Sequence, residues 1–305
     1  MSHASDIATP SATLEVLERF GIKPTKALGQ NFLVNDAIVG KICELAQVGE
    51  ADSILEVGPG IGTLTNALLK RALLVTSIEK DPKLPRVLEH TLAQWQGRFK
   101  LIEKDALDVK AEDFAHPLPT KLVANLPYSV AATIVLEYFQ RFAHLESATV
   151  MVQKEVAQRM AARPGTKSYG AYTVKLALYA HAEGSFDVSR NDFMPKPHVD
   201  STVIRLVRND ALDEEEPSGV IHAAAIMADA AFASRRKTIM NSCKTFLAGR
   251  VDDPATITRA LSDAFSQAGI EGSVRGEMLE VEDYIRLGKA VLDILPEINA
   301  DRSQQ

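Results

Sequence analysis

Ile54-Leu55-Glu56-Val57-Gly58-Pro59-Gly60-Ile61-Gly62-Thr63 is the stretch on which the fold of this chain turns. An apolar run, Ser53–Val57, gives way to glycine at every second position and then to a helical pattern over Thr63–Lys70. Glycine lets the backbone turn sharply, so the stretch reads as a buried strand, a tight turn and a helix start. Further apolar runs at Leu73–Ile78, Lys100–Glu103, Lys121–Ala124, Ser147–Gln153, Val174–Ala180 and Thr202–Val207 read as strands. Helical periodicity falls at Asp36–Gln47, Leu84–Gln96, Ala131–Arg141 and Lys154–Ala162. Such alternation predicts an α/β fold with a mostly parallel sheet and helices on both faces. No helical pattern separates the last two strand runs, which are therefore expected as an antiparallel pair at one edge. Past the acidic stretch Asn209–Gly219, helical periodicity continues at Ile221–Ala233, Lys237–Phe246, Ile257–Ala268 and Glu282–Ile294. The expected organisation is a flexible N-terminal tail over 1–25, with a short helical pattern around Leu14–Phe20, a sheet domain over 26–210, a small all-helical domain over 211–297 and a loose tail over 298–305.

The 305 residues include 46% hydrophobic and 24% charged side chains, which suits a globular protein with a sizeable core. No apolar stretch approaches the ~20 residues of a membrane span, and the first ten residues lack the basic and apolar regions of a secretory signal. Cys43 and Cys243 allow at most one bridge and no metal cluster. They read as ordinary buried or half-buried thiols of a reducing, cytoplasmic protein. A formal charge of −6 weighs against a broadly basic nucleic-acid binder. Much of the acid, however, sits in Asp210–Glu216, while Arg235-Arg236-Lys237 forms a local basic run. Composition leaves the partner open.

The strand ends say more. Glu79 follows the second strand of the unit, 21 residues after Gly58, where an acid accepts both hydroxyls of a ribose in a doubly wound sheet. Asp105 ends the next run, where its carboxylate or the adjoining backbone meets an adenine ring. Three strand ends thus converge on a nucleoside-shaped cleft. A dinucleotide fingerprint places its third glycine five residues after the first, whereas here the pattern is G-x-G-x-G over Gly58, Gly60 and Gly62. Glu56 would repel a pyrophosphate and suits an amine. An amine-bearing nucleoside without phosphates points to S-adenosylmethionine, with NAD the lesser alternative and no metal required.

Asn125-Leu126-Pro127-Tyr128 ends the strand Lys121–Ala124. It places an amide, a carbonyl held by proline and a flat ring at the same sheet edge. The nitrogen of an aromatic amine is a poor nucleophile because its lone pair is delocalised into the ring. Accepting both N–H bonds, at the Asn125 amide oxygen and the Leu126 carbonyl, favours a pyramidal nitrogen and stabilises the charge developed in attack. Tyr128 can stack on the base. Methyl transfer from a sulfonium is largely a matter of positioning, so no Ser-His-Asp or Cys-His set is needed, and none is evident.

Taken together, Leu28-Gly-Gln-Asn-Phe-Leu33, Glu56-Val-Gly-Pro-Gly60, Glu79, Asp105-Ala106, Asn125-Leu-Pro-Tyr128, Gln153-Lys-Glu-Val156, Phe193-Met-Pro-Lys-Pro-His-Val-Asp-Ser201 and Arg235-Arg-Lys-Thr238 resemble the ribosomal RNA adenine N6,N6-dimethyltransferases. The resemblance runs in one order from about residue 23 to 290. It implies a Rossmann-like class I methyltransferase sheet followed by a small helical domain. The implied activity is N6,N6-dimethylation of two adjacent adenosines near the 3′ end of 16S rRNA in an immature small subunit, by a cytoplasmic monomer with no membrane contact. Gln30, Asn31, Leu33, Gly58, Gly60, Glu79, Asp105, Ala106 and Asn125 would hold the cofactor. Asn125, Leu126, Pro127 and Tyr128 would carry the reaction, with Phe193 clamping the flipped adenine from the face opposite Tyr128. Arg235, Arg236 and Lys237, read as opening a helix, and Arg275 would contact RNA phosphates or riboses. The chain departs from the family at Ser129-Val130-Ala131, often Asn-Ile-Ser or Asn-Ile-Thr, and at Ser234, frequently an amide residue. The alternatives are a macrolide-resistance methyltransferase acting on large-subunit RNA, a DNA adenine methyltransferase, and a non-catalytic RNA-binding assembly factor.

Overall fold

The run Ser53–Val57 forms strand β2, buried at every position because it lies inside a sheet covered on both faces. In the computed structural model, which describes residues 3–25, 29–209, 218–248 and 254–295, the chain divides into two compact units. One comprises Met1–Ala157 with Ala182–Arg208, the other Gln158–His181 with Asn209–Gln305. In the first, helix α1 (Pro10–Phe20), strand β1 (Phe32–Leu33) and α2 (Asp36–Leu45) precede β2. Then follow α3 (Thr63–Leu69), β3 (Leu74–Ile78), α4 (Pro85–Thr91), β4 (Phe99–Ile102), β5 (Lys121–Asn125), α5 (Ala131–Arg141), β6 (Ser147–Gln153) and α6 (Lys154–Met160). After α7 (Ala171–Ala177) come β7 (Ala180–Val188), β8 (Phe193–Met194) and β9 (Ser201–Arg208).

Seven strands form one sheet in the order β4-β3-β2-β5-β6-β9-β7. β2 pairs in parallel with β3 and β5, β3 with β4, and β5 with β6, while β9 runs antiparallel to β6 with Ser201 opposite Gln153. The chain moves outward from β2 to β4 and then returns to β5 on the other side of β2. The carboxyl ends of β2 and β5 therefore flank a topological switch point, where open α/β sheets bind ligands. Val39, Ile42, Ala67 and Leu68 of α2 and α3 share a buried core with Ile54, Val75 and Val123 of the sheet.

Residues 10–20 form a full helix, longer than the pattern around Leu14–Phe20 and packed on the domain, where the sequence reads as a loose tail. Thr9 caps α1 by accepting the Ala12 N–H at 3.2 Å, Pro10 occupies the first turn, and Gly21 ends it at φ 63°. Val16 and Leu17 pack with Phe32, Ile61 and Leu84, so an apolar helix face holds the segment on the sheet domain. The run Val174–Ala180 is mostly helix α7 rather than strand. Thr173 accepts the Gly170 N–H at 3.3 Å at its start, and Thr173, Val174 and Leu176 face inward. The strand is the polar segment Ala180–Val188, which escapes periodicity because an edge strand exposed along most of its length needs no apolar alternation.

In the second unit, α8 (Ser218–Phe232), α9 (Ile239–Leu247), α10 (Pro254–Ala268) and α11 (Val281–Ile294) pack around Met227, Leu261 and Leu287. Residues 158–181, which the sequence places with the sheet, join this core through Tyr169 and Val174. The Tyr169 hydroxyl donates to the Leu279 carbonyl at 2.8 Å, and Lys175 pairs with Asp229 at 2.9 Å. Cys43 and Cys243 are free and buried, and burial pushes their thiols up to about 11 and about 12. The acidic linker residues 210–217 and the tail 298–305 lie outside the described residues. Among the described residues no helix is long and apolar enough to cross a membrane.

Candidate active site

The carboxyl ends of β2, β3, β4 and β5, roofed by the segment Gly29–Leu33, enclose a cleft of about 1130 Å³, mouth included. Gln30, Asn31, Leu33, Gly58, Gly60, Glu79, Asp105, Ala106, Asn125, Leu126, Pro127 and Tyr128 all line it. Leu28 of the family pattern lies outside the described residues.

The glycine turn is demanded by geometry. Gly60 holds φ +59°, and a Cβ there would lie 3.1 Å from the Phe32 ring; Gly62 holds φ +88° where α3 begins. Both are backbone states that other residues rarely adopt. Behind the turn, Glu56 is wholly buried and accepts the hydroxyls of Thr65 at 2.6 Å and Ser77 at 2.8 Å. Desolvation dominates over these bonds and raises its carboxyl to about 7. At the end of β3, Glu79 Oε1 accepts the N–H groups of Lys80 at 2.9 Å and Asp81 at 2.8 Å. Burial raises its carboxyl, and these backbone donors oppose the rise. Fixed in this way, the Glu79 carboxylate is suited to accepting ribose hydroxyls. Beyond β4, Asp105 caps the turn Ala106–Asp108 by accepting the Leu107 N–H at 3.1 Å and pairs with Lys80 at 3.2 Å. The Leu107 N–H and then Lys80 hold its carboxyl below the usual range against a smaller desolvation cost.

At β5 the Asn125 Nδ2 donates to the Asn31 carbonyl at 3.2 Å. Its Oδ1 and the Leu126 carbonyl have no hydrogen-bond donor among the described residues, so two acceptors are left beside the cleft. Pro127 and the bond from Val130 N–H to the Pro127 carbonyl, 3.2 Å, close the turn. Tyr128 is half-buried, with its hydroxyl 2.6 Å from Ser201 Oγ. The departing residues Ser129 and Val130 also line the cleft, while Ala131 begins α5.

Phe193 does not line the cleft. It is 3% exposed, pairs with Leu33 between β8 and β1, and packs in the sheet-domain core with Val188 and Val203. The β-ladder turns its ring inward, so it backs Leu33 and is not among the cleft-lining residues. Arg235, Arg236 and Lys237 lie in the turn before α9, capped by Thr238, rather than inside a helix. Arg235 donates to the carbonyls of Lys167 and Tyr169, lies over the Phe232 ring and pairs with Glu277 at 3.7 Å. Arg236 and Arg275 are exposed, and Lys237 reaches Thr245 at 3.3 Å.

Sequence reasoning missed the residues that hold the site from behind. Tyr138 donates to the Ala106 carbonyl at 2.9 Å, and Arg141 donates to the carbonyls of Leu107 and Val109, so α5 grips the Asp105–Asp108 turn. Gln30, expected at the cofactor, has in addition a bracing role that was not expected: it donates to Asp81 at 2.8 Å and accepts the Thr25 N–H at 2.9 Å, tying the roof to the end of β3. The bonds from Tyr138, Arg141 and Gln30 to Ala106, Leu107, Val109 and Asp81 join residues far apart in the chain and leave no local pattern to read.

A cleft at the switch point of this sheet, with paired acceptors at its β5 end, has the architecture of a class I methyltransferase. The family described as ribosomal RNA adenine dimethylase matches residues 22–285. A protein named ribosomal RNA small subunit methyltransferase A from Bifidobacterium longum is 41% identical over 288 residues, covering 89% of each chain. Its counterpart of the same name from Bacillus thuringiensis is 36% identical over 94% of this chain and 98% of its own. Among solved structures, a dimethyladenosine transferase from Plasmodium falciparum shares the fold, with TM-score 0.71 and 23% identity over 84% of this chain and 95% of that one. The 23S rRNA methyltransferase ErmE aligns with TM-score 0.61 and 26% identity over 86% of this chain and 99% of its own. The chain belongs to the ribosomal RNA adenine dimethylase family.

Proposed function

We propose that this protein uses S-adenosylmethionine to convert two adjacent adenosines near the 3′ end of 16S rRNA to N6,N6-dimethyladenosine, acting as a monomer on an immature small subunit in the cytoplasm. The observation that carries this reading is the pair of acceptors, Asn125 Oδ1 and the Leu126 carbonyl, that have no donor among the described residues and sit at the β5 end of the cleft. Relatives named for the small subunit, at 36–41% identity, favour it over the large-subunit reading suggested by ErmE at 26%.

The strand order lays out the ligand. Asp105 and Ala106 beyond β4 suit the adenine, and Glu79 on β3 suits the ribose. Gly58 and Glu56 on β2 suit the amino-acid arm. Glu56, a carboxylate when ionised, favours an ammonium there and disfavours phosphate. S-adenosylmethionine supplies an electrophilic methyl group on a sulfonium. Asn125 and Leu126 accept the two N–H bonds of the target N6 and stabilise positive charge as it develops there, while Tyr128 holds the base face. The methylated nitrogen sheds one proton and keeps one N–H, so the second transfer proceeds with a single accepted N–H bond.

The test is transfer of labelled methyl groups to small subunits from cells lacking adenine dimethylation, followed by mapping of the RNA. Label on two adjacent adenosines near the 3′ end is expected. Label confined to large-subunit RNA would overturn the reading.

A further inference from the structure

We propose that Ser201 is a positioning residue for the target base, holding the ring of Tyr128 through its hydroxyl. The inference rests on the reading of Tyr128 as the base-stacking residue. Ser201 is fully buried at the first position of β9, opposite Gln153 at the end of β6. It lies 73 residues from Tyr128 in sequence, yet their hydroxyl oxygens are 2.6 Å apart.

The surroundings of Ser201 are pinned on both sides. The Asp200 carbonyl accepts the Lys154 N–H at 3.1 Å, Asp200 Oδ1 accepts the Arg190 N–H at 3.2 Å, and the Thr202 hydroxyl donates to Asp187 at 2.7 Å. Ser201 is thus a fixed point on the sheet. The other end of the tyrosine is fixed as well, because its backbone follows Pro127 inside a hydrogen-bonded turn. With the backbone set at one end and the phenol oxygen at the other, the long axis of the ring is defined before a base arrives. A stacking platform arranged in advance loses less freedom when the base binds. Burial raises the Tyr128 phenol above its ordinary range, so the group stays neutral and serves as a platform rather than a base.

The bland alternative is that the Ser201 hydroxyl only stabilises the start of β9. A double-mutant cycle separates the two, because a structural effect of Ser201 would persist when the phenol oxygen is gone. Wild type, Ser201→Ala, Tyr128→Phe and the double variant are compared for single-turnover methyl transfer to unmethylated small subunits, and for S-adenosylmethionine affinity by calorimetry. Each single variant is expected to slow transfer about five- to tenfold, the effect of one lost buried hydrogen bond. Cofactor affinity should stay within about twofold of wild type. The double variant should be no slower than Tyr128→Phe alone. Losses that multiply in the double variant, or a Ser201→Ala rate equal to wild type, would overturn the proposal. Tyr128→Phe removes the same bond without touching β9, so a wild-type rate in that variant overturns it even if Ser201→Ala fails to fold. Transfer by the wild-type protein tests the proposed substrate; the ratios among variants test Ser201.

Discussion

The side-chain amide of Asn125 donates to the main-chain carbonyl of Asn31 across 3.2 Å. This bond fixes which end of the amide is the acceptor: with Nδ2 committed to the roof, Oδ1 is left to receive a hydrogen bond from a substrate. It also joins the acceptor loop to the segment that covers the cofactor cleft, which is itself tied to β3 by Gln30 and Asp81. An ordered roof and a correctly turned Asn125 are therefore parts of one arrangement.

Glu79 is expected to carry much of the cofactor affinity. Two hydrogen bonds from ribose hydroxyls to a buried carboxylate are each in the stronger range for charged groups. Glu79→Ala should weaken S-adenosylmethionine binding on the order of 100-fold. Calorimetric titration checks this; a loss below about threefold would remove Glu79 from the ribose site.

Glu56 predicts how stability depends on pH. Its folded carboxyl is raised to about 7 from the ordinary 4.5, so the folded state holds a proton that the unfolded state gives up more readily. The stabilisation is fully present below the unfolded value and is lost as pH rises through about 7. Relative to Glu56→Gln, the wild type should lose on the order of 2 kcal/mol of unfolding free energy between about pH 5 and pH 8. Denaturant titrations of both proteins at the two pH values measure it, and a difference independent of pH would show that Glu56 is ionised throughout.

Arg235 and Arg236 should part company despite adjacent positions. Arg235→Ala removes bonds to two carbonyls and its stacking on Phe232, and is expected to cost about 1–2 kcal/mol of stability. Arg236→Ala should stay within about 0.5 kcal/mol of wild type while weakening binding to small subunits and flattening its salt dependence. Thermal unfolding and binding at two salt concentrations distinguish them.

Tyr138→Phe should loosen the adenine-facing turn by deleting the bond to the Ala106 carbonyl. A stability loss of about 1 kcal/mol and a few-fold fall in cofactor affinity are expected. Unchanged affinity would mean that the turn is held without it.

What the sequence makes legible follows from locality. β2 and β6 fall where apolar runs predict them, and α5 where its periodicity does, because each buries a pattern confined to its own residues. The cleft-lining residues on β2, β3, β4 and β5 are legible for a related reason, since consecutive strand ends of a doubly wound sheet must meet. The edge strand Ala180–Val188 is illegible because its exposed residues carry no alternation. Helix α1 is partly legible as the pattern around Leu14–Phe20, but the apolar contacts that hold it become visible only once Phe32 and Leu84 are in place. Phe193 is the instructive case. Its motif suggests a base clamp, but which face of a short strand turns inward depends on pairing with Leu33, 160 residues away. Arg235 likewise reads as a free cation until the carbonyls of Lys167 and Tyr169 are folded against it.

The central claim is that Asn125 acts where charge develops on the target nitrogen. Its most direct test is the single-turnover rate of methyl transfer to unmethylated small subunits by Asn125→Ala, with S-adenosylmethionine affinity measured on the same protein. The account predicts a rate loss on the order of 100- to 1,000-fold with cofactor affinity changed only a few-fold. A variant that transfers methyl groups as fast as the wild type would contradict it.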